Sequence, residues 1–167
     1  MRHYEIIANG CIPYFQNLEE CPSNTMTLLP KELLMEGNKL FKTFSKKKIN
    51  DLTESDIERY NTLLKKLLGY MRENLTTCKM ADYIIKKVDK KVSRVLYLSG
   101  DVNPDYLRCL LLHGFKEKLG IECDDYPKVP HIYKASYTNY KNLYGKGITY
   151  TNLLEPKLHI EKSEWGI

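Results

Sequence analysis

Between Arg94 and Tyr126 the sequence runs strand, helix, strand with so little spacer that few folds accommodate it. RVLYLSG at 94–100 is a run of β-branched, Leu and Tyr residues closed by a glycine, which predicts a short strand. Asn103 is a candidate cap for the next element, with Pro104 in its first turn. Tyr106, Leu107, Leu110, Leu111 and Phe115 then recur at helical spacing, and Gly120 supplies a stop. IECDDY at 121–126 predicts the second strand. The whole run covers about 30 residues, the size of a parallel crossover unit, whose strands need a helix-length connection between them. The expected fold class is therefore α/β.

The remainder is mostly helical in pattern. Residues 2–9, RHYEIIAN, place Tyr4, Ile7 and Ala8 on one stripe, with Gly10 as the residue after the helix end. CIPYF at 11–15 predicts an edge strand, because Pro13 donates nothing to a ladder. TMTLLP at 25–30 predicts a further short extended piece, and Pro30 suits the first turn of a helix over KELLMEGNKLFKTF. Thr53 or Ser55 caps the next helix, whose apolar residues Ile57, Tyr60, Leu63, Leu64, Leu67, Leu68 and Met71 keep a clean three-to-four spacing. Thr76 or Thr77 opens another through Met80, Tyr83, Ile84 and Val88. Beyond Pro127 the chain is irregular and rich in Tyr, with Gly145 and Gly147 flanking Lys146.

Composition narrows the function classes. The chain has 167 residues, 43% of them apolar and 28% charged, which suits one compact domain or two small half-domains rather than a disordered tail. No apolar run approaches the ~20 residues of a membrane span, and the N-terminus lacks the apolar stretch and cleavage site of a secretory leader. The net charge of +5 comes from 26 basic and 21 acidic residues. Only five of the cations are Arg, the side chain favoured for bidentate phosphate and base contacts, so the surplus does not argue for nucleic acid. Lys46, Lys47 and Lys48 are read as a solvated loop. Cys11, Cys21, Cys78, Cys109 and Cys123 form no C-x-x-C pair. Free, mostly buried thiols in a reducing compartment fit that scatter, with a single disulfide left open.

Motifs for chemistry are sparse. The chain has no G-x-x-x-x-G-K-[ST] loop, no G-x-G-x-x-G loop and no D-x-D motif. Asp124-Asp125 is a near relative of the last without its spacing. No metal is expected. Of His3, His113, His131 and His159, His113 lies on the 103–119 helix, where a satisfied helix-face histidine outweighs a general base. Asp101 and Asp105 flank the same helix start as helix caps or as groups that orient a hydroxyl. Tyr133, Tyr137, Tyr140, Tyr144 and Tyr150 suit sugar stacking or an irregular packed edge equally well.

One run carries a family resemblance. R-H-Y-E-I-I-A-N-G-C-I-P-Y-F at the N-terminus resembles the nucleotide-sugar-binding segment of glycosyltransferases with two facing Rossmann-like domains, the GT-B fold, and within them the exostosin-type enzymes. The likeness covers residues 2–34 and continues more weakly to about 88. It implies that Glu5 binds the donor ribose hydroxyls, since a carboxylate accepts two hydrogen bonds and a vicinal diol offers two. It implies that Arg2 meets the diphosphate and that Gly10 permits close backbone approach. V-L-Y-L-S-G-D-V-N-P-D-Y-L-R-C-L-L-L-H-G-F-K-E-K-L-G from Val95 resembles the opening strand, loop and helix of such a domain.

The resemblance implies a helix-rich chain of incomplete Rossmann-like halves with a Tyr-rich irregular C-terminal region. Residues 1–88 would be a C-terminal-type half plus helices, 93–155 the start of a second Rossmann-like unit, and 156–167 a tail. The halves stand in reversed order, so the implied object is a fragment or rearranged piece, viral in the manner of AT-rich genomes. It would transfer a sugar from a nucleotide sugar, which is its substrate, with no cofactor, in the cytoplasm or a host cytoplasm. A complementing chain or a second copy is the implied partner. The alternatives are a non-catalytic interaction domain using the helical region 54–88, or a truncated gene product.

Overall fold

The structure is a computed structural model, and it describes residues 2–88, 90–99, 105–135, 139, 141 and 143–160. The chain divides into two compact units, Met1–Leu75 and Thr76–Ile167. Among the described residues, no helix is long and apolar enough to cross a membrane.

The first unit is built on three helices, α1 Arg2–Ala8, α2 Lys31–Phe44 and α3 Glu54–Asn74. Helix α1 ends as its sequence predicts. Gly10 adopts a left-handed φ of 77°, its N–H reaches Ile7 O and the Cys11 N–H reaches Ile6 O, the paired bonds of a Schellman stop. Thr53 caps α3 through the Asp56 N–H, and the Asp56 carboxylate returns a bond to the Thr53 N–H, a reciprocal capping box. Ile7, Leu18, Leu29, Leu34, Leu40, Leu63 and Leu67 form the core of this unit.

Residues 11–15 do not form the expected strand, nor do residues 25–30 form an extended piece. The backbone groups that a neighbouring strand would satisfy are taken by one side chain. The Phe15 N–H donates to Asn38 Oδ1 at 3.2 Å, and Asn38 Nδ2 donates to Phe15 O at 2.6 Å. Asn38 is buried on α2, and its amide offers one donor and one acceptor in the way a paired residue would. Around 25–30 the chain turns instead, with Thr25 N–H on Pro22 O and Leu29 N–H on Met26 O. Pro30 stands at the N-cap of α2 rather than inside its first turn. Packing is tight at Gly37: a Cβ there would lie 2.6 Å from Ile12 Cγ2.

The second unit holds α4 Thr77–Val88, β1 Val95–Leu98, α5 Tyr106–Leu119 and β2 Cys123–Tyr126. Strands β1 and β2 pair in parallel, Val95 opposite Cys123 through Leu98 opposite Tyr126, with α5 as the crossover. Their alternation is plain on β1, where Val95 and Tyr97 pack against the core and Leu96 and Leu98 are exposed. The Tyr97 hydroxyl donates to Arg108 O, which ties the strand to α5. Asp105 caps α5 through the N–H groups of Leu107 and Arg108; the predicted cap Asn103 and the Pro104 position lie outside the described residues. Gly120 closes α5 at a φ of 59°.

Helix α4 belongs to this unit because it packs on α5. The division between units falls after Leu75. Thr77 Oγ1 meets His113 Nδ1 at 2.9 Å, and Lys118 bridges Asp82 at 2.6 Å. The helices come close at Gly114, where a Cβ would lie 2.1 Å from Thr77 O. Ala81, Cys109, Leu112, Phe115, Cys123, Ile132, Tyr133, Tyr150 and Leu154 make the core. The architecture is a helix-rich α/β chain with one two-stranded parallel sheet among the described residues. All five cysteines are free thiols, but only Cys109 and Cys123 are buried, fewer than the expected majority.

Candidate functional site

The residues that the N-terminal segment nominates lie together on α1 and its stop. Arg2 Nη1 is 3.3 Å from Glu5 Oε2, one helical turn away, with side chains 86% and 28% exposed respectively. Gly10 follows in its left-handed turn, and the space where a side chain would start is open, with no heavy atom within 4 Å. The Asn9 amide donates to Glu5 O, tightening the end of the helix. Glu5 therefore presents a partly covered carboxylate, paired with a guanidinium that is itself bathed in solvent.

Other nominated groups turn out to be internal fasteners. His3 packs beside Tyr4 and Phe15. His113 is taken up by Thr77, and burial holds its imidazole below the usual value. His131 Nε2 sits 3.1 Å from Cys109 Sγ in the core, and burial pushes that thiol up to about 11, so it is no thiolate at neutral pH. Asp105 is a helix cap. Tyr133 and Tyr150 are core residues rather than a stacking platform, while Asp101, Tyr137 and Tyr140 lie outside the described residues.

The densest polar centre is one that no sequence motif nominates. It forms around β2, where Cys123, Asp124 and Asp125 are all buried. Asp125 Oδ1 accepts from the Tyr133 hydroxyl at 2.6 Å and from His159 Nδ1 at 3.1 Å, and lies 3.1 Å from Lys116 Nζ. Its second oxygen accepts the Val129 N–H at 3.0 Å. Lys116 and Asp125 are wholly buried, and Lys116 also donates to Leu158 O. Burial works to raise the Asp125 acid, but the bonds from Tyr133 and Val129, with Lys116 and His159, outweigh it and hold the carboxyl below its ordinary value. Tyr133 moves the opposite way: burial first, then the facing carboxylate, keep it a phenol.

Asp124 behaves differently from its neighbour. It is 5% exposed, and its Oδ1 is buried with no hydrogen-bond partner among the described residues. Burial and the adjacent Asp125 charge raise its acid above the ordinary value.

The sequence does carry a signal for this centre. Lys116 falls four residues after Leu112 and three before Leu119, on the apolar stripe of α5, and Asp125 falls two after Cys123 on the inward face of a strand. A lysine and an aspartate on facing apolar positions announce a buried pair. The contribution of His159, far along an irregular segment, leaves no such mark.

Comparison with family models, with curated proteins and with solved structures returns no match. The chemistry must be read from the chain itself.

Proposed function

We propose that the chain is a glycosyltransferase-related protein that binds a nucleotide sugar at the Arg2–Glu5 face of α1 and passes the sugar to an acceptor. The observation that carries this reading is the Glu5 carboxylate, placed by a Schellman-closed helix and tethered at one oxygen by Arg2. A surface pair of this kind is worth only about 0–1 kcal/mol. Arg2 can leave Glu5 for a diphosphate at little cost, and the released carboxylate then accepts from the two ribose hydroxyls. Gly10 keeps the following backbone free of a side chain where the donor would lie. The parallel β1–α5–β2 crossover supports the reading of the second unit as the opening of a Rossmann-like domain.

Isothermal titration with UDP- and GDP-sugars tests the proposal. The expected result is saturable binding to at least one of them, lost in Glu5→Ala. Absence of binding to every nucleotide sugar overturns it.

A further inference from the structure

We propose that Asp124, Asp125 and His159 form a binding site for one divalent first-row cation of the Mn2+ or Zn2+ class. One ligand atom from each of the three lies within 4.8 Å of the other two. Ligands on a single ion at about 2.1 Å sit roughly 3–4.2 Å apart, so the shell forms with inward shifts of about half an ångström. His159 Nδ1 and Asp125 Oδ1 already stand 3.1 Å apart, the spacing of neighbouring ligands on one ion.

A second observation points to a ligand independently of that cluster. Asp124 is more than nine-tenths buried, and its Oδ1 has no hydrogen-bond partner among the described residues. The neighbouring polar groups are already engaged with Asp125, which takes Tyr133, Val129, Lys116 and His159. A buried polar oxygen without a partner is disfavoured, and a cation at Asp124 supplies the missing partner.

The ligand set selects the ion. Two carboxylates with an imidazole nitrogen suit Mn2+ and Zn2+ better than Mg2+ or Ca2+, which prefer all-oxygen shells. His159 would offer its Nδ1 lone pair to the ion, as a metal-ligating imidazole does. The Lys116 ammonium competes for Asp125, which keeps affinity moderate and leaves Asp124 and His159 as the decisive ligands. The site lies in the second unit and does not depend on donor binding at Glu5.

The test is titration of the full chain with Mn2+, followed by electron paramagnetic resonance of the free ion, and with Zn2+ by calorimetry. One saturable site is expected in the native chain, weakened at least tenfold in Asp124→Asn and in His159→Gln, with the far-ultraviolet circular dichroism of each variant checked against the native chain. Should Asp124→Asn lose its fold, His159→Gln alone decides. Failure of the native chain to bind either ion, or unchanged affinity in a folded variant, overturns the proposal.

Discussion

Lys116 Nζ lies 3.1 Å from Asp125 Oδ1, and neither side chain exposes any surface. Such a pair is held by what surrounds it. Removing one member strands the other charge in the interior, at a typical cost of about 3–5 kcal/mol. Lys116→Met is therefore expected to destabilise the second unit by about that amount, measured as the shift of its urea unfolding transition. A change below about 1 kcal/mol would mean that the Tyr133 hydroxyl and the Val129 N–H suffice for Asp125 by themselves.

Two helical glycines make opposite predictions. Gly114→Ala puts a Cβ 2.1 Å from the Thr77 carbonyl oxygen, a backbone atom that cannot move aside alone. The strain of separating α4 from α5 exceeds the helix-propensity gain, and a loss of about 1–3 kcal/mol is expected. Gly69→Ala, in α3, meets nothing within 4 Å, so propensity alone acts and the first unit gains about 0.5–1 kcal/mol. Thermal or urea unfolding of both variants checks the pair of signs.

The contrast between local and distant partners explains what could be read from the sequence. α1 through α5 follow from spacing and caps that act within a few residues: Gly10, Thr53 with Asp56, Gly120. The parallel pairing of β1 and β2 follows from strand, helix and strand packed into one short run. The expected strand at 11–15 fails for a non-local reason. Asn38, 23 residues on from Phe15, supplies both hydrogen bonds that would otherwise call for a neighbouring strand, and local alternation contains no information about it. In the buried centre only Lys116 and Asp125 leave a local mark, by falling on apolar positions; their meeting with Tyr133 and His159 joins separate parts of the chain and leaves none. The Glu5 site is legible as residues, while its donor is a matter of chemistry to be tested.

Asn38 gives that lesson a measurable form. Asn38→Ala leaves the Phe15 N–H and carbonyl without their partners, and a destabilisation of about 1–3 kcal/mol is expected. Protection of the Phe15 amide in hydrogen exchange should fall with it. Unchanged protection would mean that the loop finds another partner.

Acid should weaken the first unit through Asp56. Its hydrogen bond with Lys47, 2.6 Å long, and the Thr53 N–H lower the acid to about 2 from an ordinary 3.8. A lowered folded-state value means that the unfolded chain takes up the proton first. The contribution is complete above about pH 4 and disappears as the pH falls towards about 2. Asp56→Asn should flatten that part of the pH–stability profile of the first unit, and an unaltered acid limb would contradict the assignment.

The ribose is where the account is most exposed. Calorimetric titration with a nucleotide sugar that binds the native chain, alongside the same donor lacking its ribose 2′- and 3′-hydroxyls, isolates the interaction assigned to Glu5. The account predicts that the deoxygenated donor binds at least tenfold more weakly to the native chain and that Glu5→Ala erases the difference. Equal affinity for the two donors in the native chain would contradict it.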